Sequence, residues 1–149
     1  MERLAELIQD HPDTDNAIGA PGRDWMTYGD LKILTLTVRQ TLRAAGIGAQ
    51  DRVAIVLPNG PEMAAAFVTV AQSATTAPLN LAYKEDEFAF YLEDLKAKAI
   101  IVQTDYDGPA RRVAKRFDMI VIELTASNPA GSFTLSTTAT GSAADTVPA

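Results

Sequence analysis

The sequence predicts an α/β fold in which a parallel sheet of βαβ units is flanked by helices and preceded by a small N-terminal hairpin. Short apolar runs rich in β-branched residues alternate with segments of helical periodicity, and this alternation is typical of parallel βαβ connections. The 149 residues, of which 47% are hydrophobic and 21% charged, suit one unit that buries a sizeable core.

The first element with clear boundaries is a helix predicted over Thr27 to Ala45. Thr27 offers a hydroxyl N-cap and Asp30 an acid three residues later, which is a variant of the capping box. Gly46 fits the left-handed position that ends many helices, and Ile47 can fold back onto the last turn. The apolar residues that recur at spacings of three and four are Leu31, Leu34, Val38, Leu42 and Ala45.

A strand and a second helix follow. The continuous apolar run Val53 to Leu57 is typical of a strand covered on both faces, and the turn residues 58–61 end it. Pro61 suits the first turn of a helix, where its missing N–H costs nothing. The stripe that this helix is expected to bury consists of Met63, Ala66, Phe67 and Val70.

A second strand is predicted over Thr75 to Leu79, and the helix after it begins with the acids Glu85, Asp86 and Glu87. Acids at a helix N-terminus interact favourably with its partial positive charge. The inner stripe of this helix is expected to be Phe88, Tyr91, Leu92 and Leu95.

The last predicted elements are a third strand at Ala99 to Val102, a short helix at Pro109 to Arg116 and a fourth strand at Met119 to Ile122. The strands and helices from Val53 onward therefore alternate, which predicts parallel crossovers.

The two ends of the chain differ from this pattern. Leu4 to Ile8 is predicted to form a short helix, and Ala17-Ile18 is expected to pair with Asp24-Trp25-Met26 around a turn at Pro21-Gly22. Residues 126–149 are almost wholly Ser, Thr, Ala, Gly, Pro and Asn, and such a segment buries too little apolar surface to offset its ordering entropy. The chain is therefore divided into an α/β subdomain, residues 1–125, and a flexible tail or linker, residues 126–149.

Composition excludes several classes of function. The formal charge of −6 and the pI near 4.7 repel a polyphosphate backbone, so a nucleic-acid partner is not expected. Without cysteine there is no disulfide, thiolate metal site or cysteine nucleophile.

The acidic start has neither the basic nor the long apolar region of a secretory signal, and no apolar stretch is long enough to cross a bilayer. We expect a cytoplasmic protein.

Three groups of residues are candidates for a site. His11 lies among Asp10, Asp13 and Asp15, but a single histidine in a polar turn is more often solvated surface than a metal ligand. The acids at 85–87 are explained by the helix dipole without a cation. Residues 46–48 carry two glycines of a dinucleotide-binding pattern, yet they follow a helix and lack the third glycine, so that interpretation is rejected.

The loop from Leu57 to Pro61 follows a predicted parallel strand and precedes a helix, which is where open α/β sheets place ligand-binding loops. It has neither a run of glycines nor a lysine to cradle phosphate, and a plain turn at Asn59-Gly60 is favoured over ligand contact. No Ser/His/Asp set is available. From the residues alone we assign no catalytic, cofactor-binding or metal-binding residue.

Ordered motifs resemble the N-terminal subdomain of the adenylate-forming, AMP-binding superfamily. They are TYGDL at 27–31, LRAAGI at 42–47 and DRVAIVLPN at 51–59. The likeness continues through Glu62, APLN at 77–80 and YLEDL at 91–95, and covers about Trp25 to Val102. The segment from Ala77 to Leu92 is most similar to fatty-acyl-CoA and oxalate-CoA ligases, although residues 72–74 and Leu81 stand where the family usually has a glycine and often a proline.

The resemblance implies an acyl-CoA ligase. In this family a carboxylate attacks the α-phosphate of Mg-ATP to give an acyl-adenylate and pyrophosphate, and CoA then displaces AMP. ATP, Mg²⁺ and CoA are thus implied for a full-length enzyme, while the family's phosphate loop, nucleotide contacts and catalytic lysine would all follow Ala149. The chain is therefore expected to bind none of these cofactors and to be inert alone, with the remainder of a synthetase as its partner.

An alternative of a different class stays open at this point: a standalone, non-catalytic α/β interaction module. An incomplete superfamily fold should expose apolar surface, so self-association is expected under either hypothesis.

Overall fold

The structure is a computed structural model that describes residues 12–137. Its strands are β1 (Asn16–Ile18), β2 (Met26–Thr27), β3 (Arg52–Val56), β4 (Thr75–Pro78), β5 (Ala99–Gln103), β6 (Ile120–Ala126) and β7 (Phe133–Thr137). Its helices are α1 (Tyr28–Ala44), α2 (Pro61–Ala71), α3 (Glu85–Leu95) and α4 (Pro109–Arg116).

The sheet topology confirms the predicted α/β class. A five-stranded sheet has the order β4-β3-β5-β6-β7, in which the four strands from β3 to β6 run parallel. β7 pairs antiparallel with β6 at one edge. The predicted N-terminal hairpin is also present, since β1 and β2 pair antiparallel as a separate two-stranded sheet.

Two apolar cores lie on opposite faces of the sheet. Val53 and Ile55 of β3 pack with α1 and α2 on one face, whereas Ala54 and Val56 pack with α3 and α4 on the other. All four side chains are fully buried. Burial on both faces explains why the sequence of β3 is continuously apolar rather than alternating.

The boundaries predicted for α1 are confirmed. The Thr27 hydroxyl oxygen accepts from the Asp30 backbone N–H, and the Asp30 carboxylate accepts from the Thr27 backbone N–H. These two hydrogen bonds form the capping box. At the other end Gly46 has a φ of 83°. The Ile47 N–H donates to the Leu42 carbonyl at 2.9 Å and Ile47 is buried, as in a Schellman motif.

Two side chains predicted to be buried are instead on helix flanks. Phe67 is 39% and Tyr91 is 37% exposed. The small residues Ala65 and Ala66 take the centre of the buried face of α2, so Phe67 is turned away from the sheet. In α3 the fully buried positions are Phe88 and Leu92.

Residues 126–137, the described part of the segment predicted to be a tail or linker, include the end of one strand and the whole of another. β6 continues to Ala126, beyond the predicted end at Ile122, and residues 133–137 return as β7 with Leu135 opposite Leu124. Pairing to a strand that is already anchored supplies the apolar contact that the composition alone did not indicate. Residues 138–149, the predicted helix from Leu4 to Ile8, and His11 lie outside the described residues.

No helix within residues 12–137 is both long enough and apolar enough to cross a membrane.

Candidate functional site

The direction of the connections after each strand identifies one end of the sheet as the place for a ligand. β3 leads into α2 on one face, while its neighbours β4 and β5 lead into α3 and α4 on the other face. Loops that diverge in this way leave a crevice outside the carboxyl ends of the strands, where open α/β sheets bind ligands. The C-terminal end of β3 is therefore the candidate site.

A groove of about 670 Å³ lies at this position, between the loop after β3 and the loop after β4. None of its lining residues is ionisable, and most are apolar. They are Leu57, Pro58, Asn59, Met63, Pro78, Leu79, Asn80, Leu81 and Ala82. Such a surface can contact a ligand and exclude water, but it has no side chain that could act as a general base or neutralise a phosphate.

The turn after β4 is held by its own hydrogen bonds. The Leu79 N–H donates to the Ile55 carbonyl at 2.9 Å, which extends the β3–β4 pairing into the loop. The Asn80 side-chain oxygen accepts from the Ala82 N–H at 2.9 Å, and the Asn80 carbonyl accepts from the Tyr83 N–H at 3.1 Å. This Asx turn fixes the wall of the groove on the β4 side.

The other wall depends on the start of α2, which is anchored by Glu62. Glu62 Oε2 lies 2.7 Å from Arg23 Nη1 and accepts from the Gly131 N–H at 3.1 Å. The Arg23 guanidinium also donates to the Ser127 carbonyl at 2.9 Å. One carboxylate thus joins the N-terminal hairpin, the start of α2 beside Met63, and the turn between β6 and β7.

Arg111 braces the loop after β5. It donates to the carbonyl oxygens of Gln103 at 3.1 Å and Thr104 at 3.2 Å, and also to that of Tyr106. Its guanidinium lies 2.8 Å from Glu123 of β6. Because these partners surround the cation, its structural role is to hold the loop to the neighbouring strand.

The acids at the start of α3 have local partners. Glu85 pairs with Arg112 at 2.8 Å and with Arg116 at 3.5 Å, and the hydrogen bond to Glu85 raises the pKa of Arg112. Glu87 accepts from the Lys84 N–H at 2.9 Å. Residues 12–137 contain no group of three or more His, Asp or Glu side chains placed to hold a metal ion.

An aromatic cluster adjoins these acids. Tyr83 stacks on Tyr91 with ring centroids 5.0 Å apart and meets Phe88 edge-on at 5.6 Å. Loss of water contact raises the pKa of the Tyr83 hydroxyl, and Tyr91 and Glu87 add to this effect. The cluster fixes the chain between the groove and α3.

Only part of this site could be found from the sequence. The position of the loop from Leu57 to Pro61 after a strand is typical of ligand-binding loops, but the sequence favoured a plain turn at Asn59-Gly60 over ligand contact. In the structure Leu57, Pro58 and Asn59 line the groove. Residues 46–48, which precede β3, lie at the opposite end of the sheet from the groove. The sequence did not indicate that residues 78–82 line the groove or that Glu62 anchors its other wall. For residues 78–82, the polar turn after β4 was a signal that could have been used.

Comparison with known proteins gives a family match along nearly the whole chain. The family described as "AMP-binding enzyme" matches residues 4–146. An oxalate–CoA ligase of Arabidopsis thaliana is 28% identical over 147 residues, which are 97% of this chain and 28% of that protein. A probable CoA ligase, CCL9, of Humulus lupulus is 34% identical over 116 residues, which are 77% of this chain and 22% of that protein. The chain thus spans less than a third of the curated relatives it matches.

Solved structures match the fold at lower sequence identity. Apo MatB from Rhodopseudomonas palustris superposes with a TM-score of 0.72 at 22% identity, over 86% of this chain and 26% of that one. O-succinylbenzoate coenzyme A synthetase (MenE) from Bacillus subtilis, in complex with AMP, gives 0.68 at 20% identity, over 80% of this chain and 30% of that one. These similarities show a shared α/β arrangement.

Proposed function

We propose that this chain, which belongs to the AMP-binding enzyme family, supplies the N-terminal part of an ATP-dependent acyl-CoA ligase. The relatives include an oxalate–CoA ligase and a probable CoA ligase, which supports acid–thiol ligation as the reaction of the complete protein. The cytoplasm is the compartment that we propose for it, because the ATP and CoA that such a reaction consumes are intracellular.

The proposed reaction has two steps. A carboxylate oxygen attacks the α-phosphorus of ATP, so that a new P–O bond forms and pyrophosphate leaves. The CoA sulfur then attacks the acyl carbon and forms the thioester bond. The bond between that carbon and the bridging oxygen breaks, and AMP leaves with this oxygen. Mg²⁺ and fixed cations, when bound in a complete enzyme, would stabilise the charge that develops on the phosphates in the first step.

The contribution of this segment is proposed to be structural. The observation that supports this is the groove at the end of β3 and β4, whose nine lining residues include no ionisable side chain. The nearby cation Arg111 is bound to backbone carbonyls and Glu123. The segment can therefore form a wall of the substrate and nucleotide cleft, while the charges needed for adenylation come from the rest of a synthetase.

Exchange of labelled pyrophosphate into ATP tests whether this segment can catalyse adenylation without the rest of a synthetase. The 149-residue chain is assayed with Mg²⁺ and a panel of carboxylic acids, next to a complete acyl-CoA ligase as positive control. We expect exchange by the complete enzyme and none by this chain. Exchange above the background of a heat-denatured sample would overturn the proposal that the segment is inert.

The mass of the polypeptide in its source cells tests whether it is part of a larger enzyme. An antibody against this segment should detect a product several times larger than 15.9 kDa. A single species near 15.9 kDa would contradict the ligase proposal and favour the standalone interaction module.

A further inference from the structure

The turn between β3 and α2 contains the pair Asn59-Gly60, which can react without any ligand or partner. Both residues are exposed, and the chain bends there without a backbone hydrogen bond across the turn. Within residues 12–137, neither the Asn59 side chain nor the Gly60 N–H has a hydrogen-bond partner. In this part of the chain, no hydrogen bond therefore holds the Asn59 amide carbon away from the Gly60 nitrogen.

The fold requires glycine at position 60. Gly60 is the N-cap of α2 and has a φ of 156° and a ψ of −176°, a backbone region that almost only glycine populates. A Cβ built on Gly60 would have nothing within 4 Å beyond its chain neighbours. The nitrogen that follows Asn59 thus belongs to a residue with no side chain to shield it.

The other asparagines between residues 12 and 137 lack this combination of features. Asn80 is followed by the branched Leu81, and its side-chain oxygen accepts from the Ala82 N–H at 2.9 Å. Asn128 precedes a proline, whose nitrogen carries no proton to lose. Asn16 lies in β1, where it pairs with β2. Asn59 is therefore the asparagine most open to attack by the nitrogen of its own backbone.

We propose that Asn59-Gly60 is a site of spontaneous covalent modification, at which the side-chain amide is lost through a cyclic imide. The Gly60 nitrogen gives its proton to hydroxide and attacks Asn59 Cγ. A new C–N bond forms, the bond from Cγ to the side-chain nitrogen breaks, and that nitrogen leaves as ammonia with a proton from water. A water molecule then opens the ring at one of its two carbonyl carbons, which yields aspartate or isoaspartate.

The modification changes the charge of the groove at the end of β3. Asn59 is one of its lining residues, and none of these residues is ionisable. The product places a carboxylate just before the first turn of α2, where the partial positive charge of the helix N-terminus stabilises it. The aspartate form should therefore stay folded, and its groove should repel an anionic ligand such as a carboxylate or a phosphate.

This inference does not depend on the ligase proposal. The reaction is intramolecular, and every group that takes part in it belongs to residues 59 and 60 or to water. A failure to catalyse pyrophosphate exchange would leave it unchanged, and an unreactive Asn59 would leave the ligase proposal unchanged.

Peptide mapping by mass spectrometry, after incubation of the chain in mildly alkaline buffer, measures the conversion at each asparagine. Both products raise the mass of the peptide that contains residue 59, and fragmentation distinguishes aspartate from isoaspartate. We expect Asn59 to convert at least roughly tenfold faster than Asn80, because Asn80 must also break its hydrogen bond to Ala82 and has a branched neighbour. In the control Asn59→Gln, the longer side chain would have to close a larger ring, so no gain in mass is expected at residue 59.

The same measurement in concentrated urea tests whether the native turn permits the attack. It is compared with a sample that is shown to be folded by its cooperative urea transition. Similar rates at Asn59 are expected in the two samples, because no hydrogen bond within residues 12–137 restrains the turn. Conversion in urea but not in the folded chain would overturn the proposal, since the native backbone would then keep Cγ out of reach. Equal rates at Asn59 and Asn80 in the folded chain would overturn it as well.

The variant Asn59→Asp tests the consequence for the groove, because it carries one of the two products from the start. Its urea transition at neutral pH should lie at or slightly above that of the wild type, since the new charge precedes the N-terminus of α2. A variant that no longer unfolds cooperatively would refute the inference that the modified chain persists with an acidic groove.

Discussion

Arg23 and Glu62 form an ion pair, 2.7 Å between Nη1 and Oε2, that joins the N-terminal hairpin to the first turn of α2. The two side chains are 31% and 19% exposed, so water competes with the contact only in part. Glu62 also accepts from the Gly131 N–H. The start of α2 and one wall of the groove therefore depend on residues that are far apart in the sequence.

Two substitutions of Glu62 should distinguish the contribution of its ion pair to stability from the contribution of its backbone hydrogen bond. Glu62→Ala removes both and should lower the free energy of unfolding by about 1–3 kcal/mol, because it leaves a partly buried guanidinium and an amide without their acceptor. Glu62→Gln keeps an oxygen for the Gly131 N–H and should lose less. Urea unfolding of both variants measures the difference, with Glu93→Ala on the exposed side of α3 as control. Equal losses for all three would show that Glu62 is not an anchor.

A side chain at Gly131 should destabilise the fold more than one at Gly22. Its φ is +89°, and an added Cβ would lie 3.1 Å from Ile18 Cγ2 and 3.2 Å from the Pro61 carbonyl oxygen. Gly22 has a similar φ of +75° with nothing within 4 Å of such a Cβ. Both glycine-to-alanine variants have the left-handed backbone cost of about 1–2 kcal/mol, but Gly131→Ala adds two contacts that are tighter than usual for a Cβ and that its neighbours must move to relieve. Thermal unfolding should rank it well below Gly22→Ala; the reverse order would contradict the packing around residue 131.

The ends of α1 could be predicted because local residues determine them, and the parallel direction of β3 to β6 because strands alternate with helices along the chain. Thr27 and Asp30 begin the helix through hydrogen bonds three residues apart, and Gly46 ends it by its own backbone freedom. The apolar run of β3 indicates burial on both faces without reference to any distant partner.

β7 and the groove depend instead on contacts that no local pattern contains. The strand FTLST is polar at alternate positions and follows a Ser- and Pro-containing turn, so its order depends on β6, where Leu124 lies opposite Leu135. The groove forms only because β3 and β4 send their helices to opposite faces. The side to which each crossover turns is a property of the assembled sheet, and the sequence near Asn59 or Asn80 does not specify it.

Thr27 should be the main local determinant of the start of α1. Its hydroxyl oxygen accepts from the Asp30 N–H at 3.2 Å, and Thr27→Val keeps the shape of the side chain but not this acceptor. The expected loss of unfolding free energy is about 1 kcal/mol, the usual value of an N-cap. Thr37→Val, at an exposed position of the same helix, is the control in a urea titration. A smaller loss at Thr27 than at Thr37 would exclude the capping role.

Asp51 should make stability depend on pH at the acidic end of the range. The Gly48 backbone N–H, 2.7 Å from Asp51 Oδ2, is the main cause of a lowered pKa of this carboxyl, and Lys98 at 3.4 Å contributes further while burial opposes them. A carboxyl whose folded-state pKa lies below its unfolded value of about 3.8 stabilises the fold above that value. This contribution is lost as pH falls through the folded-state pKa.

Asp51→Asn isolates that contribution, because the amide oxygen can still accept from Gly48 but does not titrate. The variant should be less stable than the wild type at neutral pH, where the charged bond to Gly48 and the pairing with Lys98 are lost. The difference should shrink as pH falls below about 3.8, because the unfolded carboxyl is protonated first, and it should be lost as pH falls further through the lower folded-state pKa, where the folded carboxyl is protonated too. Urea titrations across this range, with Asp94→Asn on exposed α3 as control, measure it. A difference that stays constant from neutral to acidic pH would mean that the charge of Asp51 contributes nothing to the fold.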